Sequence, residues 1–134
     1  MTNSLTPALL DSLGLETYVL LTTFRLTGER VSTPVWIGRD GEALLVTTGG
    51  ASGKVKRLAN NASVELTPCD RVGTVADDAL TTTARATVLR DDASIARLVE
   101  VIEEKYGEAY RRIRAAAADR PAGAESVAVR IVAA

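Results

Sequence analysis

A short stretch of glycines, hydroxyl groups and cations has the residue types that bind an anion. It runs from Thr47 to Arg57 and includes Ser52, Gly53 and Lys54. A helix that begins at Gly53 would offer free backbone N–H groups and the positive end of its dipole. Lys54 and Arg57 lie three residues apart, so they share one face of such a helix. Because arginine can bind two phosphate oxygens at once, the pattern is typical of a phosphate site.

The stretch matches neither of the two common nucleotide-binding loops. A Walker A loop needs Gly, four residues and then Gly-Lys-Ser/Thr, whereas Thr48 stands at the first position here and Val55 follows Lys54. A G-x-G-x-x-G motif is absent from the sequence. A short amphipathic helix whose Lys and Arg are simply solvated would show the same residues, since such helix faces are common. From the residues alone, both interpretations stay open.

The composition excludes several classes of function. The 134 residues include 16 basic and 17 acidic side chains, so no overall positive charge would attract nucleic acid or an anionic membrane. Histidine is absent, which removes His-dependent triads, the usual zinc sites and an axial haem ligand, and we expect no metal centre. Cys69 is the single cysteine, which favours a reducing compartment. Without a signal peptide or membrane-span pattern, we expect a cytoplasmic single domain over residues 1–134.

The elements that would position these residues are mostly strands. Apolar and β-branched runs predict strands at 17–26, 31–38, 43–48, 62–69, 80–90 and 126–132. Helical periodicity predicts helices at 5–13, 53–61, 92–106 and 108–119, the last followed by a turn at 120–123. Pro34 has no N–H to donate, which places its strand at a sheet edge or at a bulge. About six strands with three or four helices favour an antiparallel β-barrel with helices packed on it.

Several motifs, taken in order, resemble the pyridoxamine 5′-phosphate oxidase-like split β-barrels, the FMN-binding split-barrel type. The motifs are Ser32–Trp36, the Asp40–Gly41 hairpin, Thr47–Thr48, Ser52–Arg57 and Pro68–Gly73. Within these proteins, the sequence is most similar to the actinobacterial branch that uses the deazaflavin coenzyme F420. The resemblance covers nearly the whole chain. It implies a mainly β, α+β fold: a six-stranded antiparallel split β-barrel with flanking helices.

The resemblance also implies a homodimer with one cofactor in each of two grooves between the subunits. The cofactor would be F420, or alternatively FMN. The residues that would hold its phosphate and ribityl chain are Thr47, Thr48, Ser52, Gly53, Lys54 and Arg57. The residues that would line its ring system are Thr33, Pro34, Val35 and Trp36.

The function implied by the resemblance is that of an oxidoreductase. Reduced F420 would transfer a hydride to a small conjugated or oxidised organic substrate. Two alternatives share the fold: an FMN-binding oxidase or reductase, and a non-catalytic carrier of a flavin or of F420. The vitamin-B6 oxidases and the related haem-degrading branch depend on histidine, so its absence argues against both. Tyr18, Tyr106 and Tyr110 are candidate proton donors, but each lies in a pattern that predicts packing, and the catalytic residues stay unassigned.

Overall fold

The computed structural model describes residues 2–117 and 125–134. The strands are β1 (Thr2–Ser4), β2 (Tyr18–Phe24), β3 (Arg30–Val35), β4 (Gly38–Asp40), β5 (Ala43–Gly49), β6 (Ser63–Cys69), β7 (Thr81–Leu89) and β8 (Ser126–Val132). The helices are α1 (Pro7–Leu15), α2 (Gly53–Asn60), α3 (Asp92–Tyr106) and α4 (Glu108–Ala117). The end of the fourth predicted helix, at Ala118 and Asp119, and the predicted turn at 120–123 lie outside the described residues.

The strands form one sheet in the order β3-β2-β6-β7-β8-β5-β4, in which neighbours run antiparallel. The short β1 pairs in parallel with β7. This arrangement confirms the predicted α+β class and the split-barrel architecture with flanking helices. In the described ranges, no helix is both long and apolar enough to cross a bilayer.

The predicted count of six strands is wrong, because the described residues form eight. The strand predicted at 31–38 divides at Trp36 and Ile37 into β3 and β4, which are the two edge strands of the sheet. Pro34 lies in β3, so its prediction at a sheet edge is confirmed. The sequence analysis missed β1 because this segment of three residues is a strand only through its pairing with the distant residues 81–83.

Local capping signals set the start of α1, and a distant lysine holds its end. Thr6 caps the helix by accepting a bond from the Leu9 amide at 3.2 Å, and Pro7 occupies the first position, as predicted. The helix was expected to stop at Gly14, but it continues to Leu15. Lys105 of α3 donates to the carbonyl oxygen of Gly14 at 2.9 Å. This bond gives a carbonyl at the helix end a partner that it would otherwise lack. Residue patterns within α1 do not reveal this contact.

Two apolar clusters make up the core. The larger fills the barrel with side chains from the inward faces of the strands, including Val19, Leu21, Leu44, Val46, Leu66, Val129 and Ile131. The smaller lies between the sheet and α3 and includes Leu45, Leu98, Val101, Ile102 and Tyr110. The predicted apolar face of α3 is therefore confirmed as a packing face. Together the clusters fix the strands β2, β5 and β7, which α2 contacts.

Tyr106 joins α3 to the link between the two edge strands. Its hydroxyl donates to the Thr17 carbonyl at 2.7 Å and accepts a bond from the Ile37 amide at 3.0 Å. Its ring stacks on Trp36, with centroids 4.2 Å apart and planes 6° from parallel. These contacts give Tyr106 the packing role that its sequence pattern predicts.

Replacing Tyr106 with Phe is expected to lower the free energy of unfolding by about 1–3 kcal/mol at neutral pH, because the Ile37 amide and Thr17 carbonyl lose their partner. Burial raises the pKa of Tyr106 to about 12. The folded state therefore holds the phenol proton more tightly than the unfolded chain, whose tyrosines ionise near pH 10. The difference between the parent and Tyr106→Phe should stay constant below about pH 10 and shrink between pH 10 and 12. Denaturant titrations across this range would contradict the account if the difference widened instead.

Candidate functional site

The turn between β5 and α2 ends in a capped helix. Ser52 is the N-cap, as predicted: its hydroxyl accepts a bond from the Val55 amide at 3.4 Å. The Ser52 amide donates to the Gly49 carbonyl at 3.0 Å, and Thr48 Oγ1 lies 3.3 Å from Ser52 Oγ. Within the part of the chain that the structure describes, the amide of Gly53 has no acceptor. The start of α2 therefore presents a free donor and the positive end of the helix dipole.

Arg57 folds back over the first residue of the same helix. Its Nε donates to Thr23 Oγ1 in β2 at 2.6 Å. A Cβ atom at position 53 would lie 2.6 Å from Nη1 of Arg57, so the guanidinium occupies the space that the missing side chain of Gly53 leaves. The helix start and a full positive charge therefore lie together, which local sequence spacing alone does not establish.

Lys54 adds a second cation beside the first. Its side chain is half-buried, and desolvation, followed by the charge of Arg57, lowers its pKa. Among residues 2–117 and 125–134, neither Lys54 nor Arg57 has an acidic partner within ion-pair distance. Two adjacent cations without a counter-charge favour an anion, because an anion would offset their mutual repulsion.

Thr33 and Val35 point to the inward face of β3. Thr33 pairs with Leu21, and Thr23 lies two residues further along the same strand, so Thr33 shares its face with the residue that holds Arg57. Thr33 Oγ1 is buried and has no hydrogen-bond partner among the described residues. Val35 is 8% exposed and packs in the barrel core, which leaves its backbone as the part that can contact a ring.

Pro34 has the opposite orientation, because successive residues of a strand alternate between faces. Pro34 lies 3.8 Å from the position of a Cβ at Gly73, so the loop after β6 covers it. Trp36 is stacked on Tyr106. The four residues predicted to line one ring system thus do not share one face: Thr33 and Val35 point inward, Pro34 points outward, and Trp36 lies just beyond the end of β3.

Thr47 and Thr48 also diverge. Thr48 contacts Ser52 in the turn before α2. Thr47 lies near Tyr110 of α4, whose pKa is raised mainly by burial and lowered in part by Arg114 and by Thr47. The structure therefore gathers Thr48, Ser52, Gly53, Lys54 and Arg57 around the start of α2, and it directs Thr47 towards α4.

Two residues at this site were missed by sequence reasoning. Thr23 is 0% exposed and accepts the hydrogen bond from Arg57. The sequence of its strand shows only a β-branched pattern, which does not indicate this contact. Arg90, just after β7, donates to the Gly50 carbonyl at 3.2 Å and so ties down the turn. Each contact joins residues more than 30 positions apart, and a local pattern carries no signal for such a pairing.

Cys69 is poorly suited to act as a nucleophile. Burial, followed by the charges of Asp70 and Glu16, raises the pKa of its thiol. Near neutral pH the thiol stays protonated, and the thiolate is the reactive form. These surroundings fit a small structural residue better than a nucleophile.

A cavity of about 420 Å³ lies against another side of α2. Its lining residues are Val55, Leu58, Ala59, Ala62, Ala86, Thr87, Val88 and Arg90. None of the ten residues predicted from sequence to bind a cofactor belongs to this lining. In a single chain, the cluster around Lys54 and Arg57 thus lies beside this cavity and not within it.

Comparison with known proteins identifies one family. The family profile described as pyridoxamine 5′-phosphate oxidase matches residues 5–133. The sequence matches no curated protein.

Solved structures share the fold at low sequence identity. The conserved hypothetical protein Rv2991 from Mycobacterium tuberculosis has a TM-score of 0.72 and 18% identity, over 96% of this chain and 80% of that one. HutZ, the haem storage protein from Vibrio cholerae, has a TM-score of 0.70 and 15% identity, over 97% and 90%. A protein described as an F420 reductase has a TM-score of 0.59 and 20% identity, over 92% of each chain. At these identities, the similarity establishes the fold alone.

Proposed function

We propose that this chain, which belongs to the pyridoxamine 5′-phosphate oxidase family, binds the phosphate of a flavin-type cofactor at the start of α2. We also propose that it acts as an oxidoreductase. The cofactor we propose is F420, with FMN as the alternative. The observation that carries the proposal is the pair Lys54 and Arg57, which lie at a capped helix start and have no acidic partner among the described residues. The structurally similar F420 reductase supports the choice of deazaflavin, and placement in the actinobacterial branch is part of the same proposal.

The residues of this site fit a phosphate group. Gly53 lacks the Cβ that would displace the Arg57 guanidinium, and its amide is free of a protein acceptor in the described ranges. Arg57 and Lys54 would supply the charge, and Ser52 would keep the helix start capped. Charged hydrogen bonds of this kind are stronger than neutral ones, because the donor carries a full positive charge.

The ring system would lie along β3, where the Thr33 hydroxyl is buried without a partner in the described part of the chain. This hydroxyl could donate to or accept from a polar ring edge. Pro34 has no amide to donate, so its position leaves a strand edge that a ligand can approach. We assign Trp36 no direct contact with the ring in one chain, since it already stacks on Tyr106.

A second copy of the chain is part of the proposal. The cluster around Arg57 is not enclosed by the cavity beside α2, and the edge strand β3 has only one strand neighbour among the described elements. A homodimer of single-domain, cytoplasmic chains would cover each cofactor with the partner. The bound cofactor would supply hydride chemistry towards an electron-poor organic substrate. The contribution of the protein is to hold the phosphate, orient the ring and exclude water.

Two alternatives share the phosphate site. An FMN-dependent oxidase or reductase would use the same cations, because both cofactors carry a phosphate. A carrier protein would bind the cofactor tightly and reduce no substrate. Burial raises the pKa values of Tyr106, Tyr110 and Cys69, so none of these three is an evident proton donor, and this observation keeps the carrier in consideration.

Parallel fluorescence titrations of the cofactor-free protein with F420 and with FMN test the proposal. We expect F420 to bind in the micromolar range or tighter and FMN to bind more weakly. Added salt should weaken binding, because the contact is charged. Tight FMN binding with weak F420 binding would select the flavin alternative. Failure of both cofactors to bind would contradict the proposed function.

A further inference from the structure

A hydroxyl on β2 controls the direction of the Arg57 side chain. The Nε of Arg57 donates to Thr23 Oγ1 at 2.6 Å, and Thr23 is completely buried. The hydroxyl belongs to a central strand of the barrel, whereas Arg57 belongs to a helix of eight residues. The bond therefore ties a long flexible side chain to the buried interior of the barrel.

This contact leaves the outer end of the guanidinium free. With Nε engaged by Thr23, the two terminal nitrogens of Arg57 remain available for a ligand. Nη1 of Arg57 lies over Gly53. A Cβ atom built at position 53 would be 2.6 Å from Nη1 and 3.6 Å from Nη2. The two terminal nitrogens of a guanidinium can form parallel hydrogen bonds, which suit the paired oxygens of a phosphate.

We infer that Thr23 is a positioning residue for the phosphate site: its buried hydroxyl holds Arg57 over Gly53 so that both terminal nitrogens face the ligand. The inference rests on the proposed function and extends it to a residue that would not touch the cofactor. A free arginine side chain adopts many rotamers, and a ligand must restrict them at a cost in affinity. A preformed bond to Thr23 removes part of that cost before the ligand arrives.

The adjacent residue provides a matched comparison. Thr22 is also buried, at 6% exposed, and its hydroxyl bonds with Ser32 Oγ at 2.7 Å. Because neighbouring residues of a strand face opposite sides, Thr22 points away from Arg57. Thr22→Val and Thr23→Val each remove one buried hydroxyl from the same strand and keep the side-chain shape, but only Thr23→Val releases Arg57.

The test compares the parent, Thr22→Val, Thr23→Val and Thr23→Ser, with F420, FMN and inorganic phosphate as probes. We expect Thr23→Val to weaken binding of the cofactor about tenfold, the scale of one hydrogen bond to a charged group. Thr23→Ser keeps the hydroxyl and should restore most of the affinity. Thr22→Val should leave the affinity unchanged even if its melting temperature falls as far as that of Thr23→Val.

A second readout does not depend on any ligand. Hydrogen exchange at Arg57 Nε, followed by NMR, should be slow in the parent and in Thr22→Val, and fast in Thr23→Val. Unchanged exchange in Thr23→Val, or equal affinity losses in both valine variants, would overturn the inference. If the parent binds none of the three probes, the proposed function fails, and the exchange rates still decide whether Thr23 orients Arg57.

Discussion

Replacing Arg57 with Ala is expected to weaken cofactor binding by about 1.5–3 kcal/mol, the range for a charged hydrogen bond. This corresponds to at least a tenfold rise in Kd. The physical reason is the loss of a cation that lies over Gly53 at the start of α2 and has no acidic partner within the described residues. Fluorescence titration with F420 and with FMN measures the change.

Two further variants separate charge from geometry at this position. Arg57→Lys keeps the charge but lacks the planar pair of donors, so its affinity should lie between those of the parent and Arg57→Ala. Arg85→Ala removes an exposed arginine from β7 that is not part of the cluster at the start of α2, and should leave binding unchanged. Equal affinity in the parent and Arg57→Ala would move the phosphate site elsewhere in the molecule.

Replacing Gly53 with Ala is expected to weaken cofactor binding, by less than Arg57→Ala does, although it removes no polar group. The new Cβ would overlap Nη1 of Arg57 at 2.6 Å, which is closer than non-bonded atoms approach, so the end of this flexible side chain must shift away from the helix start. Gly53 is not among the glycines with positive φ, so alanine is compatible with the helix there. Because alanine is the better helix former, the variant should be as stable as the parent or more stable, by up to about 1 kcal/mol.

A double-mutant cycle gives the control for this prediction. If Gly53→Ala acts by displacing Arg57, it should have little further effect on affinity in the Arg57→Ala background. Additive losses in the double variant would indicate that Gly53 contributes through its own backbone contact with the phosphate. A thermal melt of each cofactor-free variant distinguishes lost binding from lost folding.

Features that depend on local residue order were predictable from sequence. The cap at Ser52, the cap at Thr6 and the hairpin at Gly41 each depend on a few neighbouring residues, and each is present. The β-barrel class followed from the number and order of strand patterns. The edge position of Pro34 followed from its missing donor.

Features that depend on tertiary contacts were not predictable in this way. The bond from Arg57 to Thr23 joins residues 34 positions apart, and nothing in either local pattern signals it. The strand predicted at 31–38 is interrupted at Trp36 and Ile37, where the Ile37 amide donates to the Tyr106 hydroxyl of a distant helix. The four predicted ring-lining residues were treated as one surface, but the alternation of a strand places Thr33 and Pro34 on opposite faces.

The central claim is that the cofactor phosphate binds at the start of α2. The most direct test follows the backbone amide signals of the protein by NMR during titration with whichever of F420 and FMN binds more tightly. We predict that the largest shifts occur at the backbone amides of Gly53 and Lys54. Largest shifts at the cavity beside α2, around Ala62 and Ala86, with Gly53 and Lys54 unchanged, would contradict it.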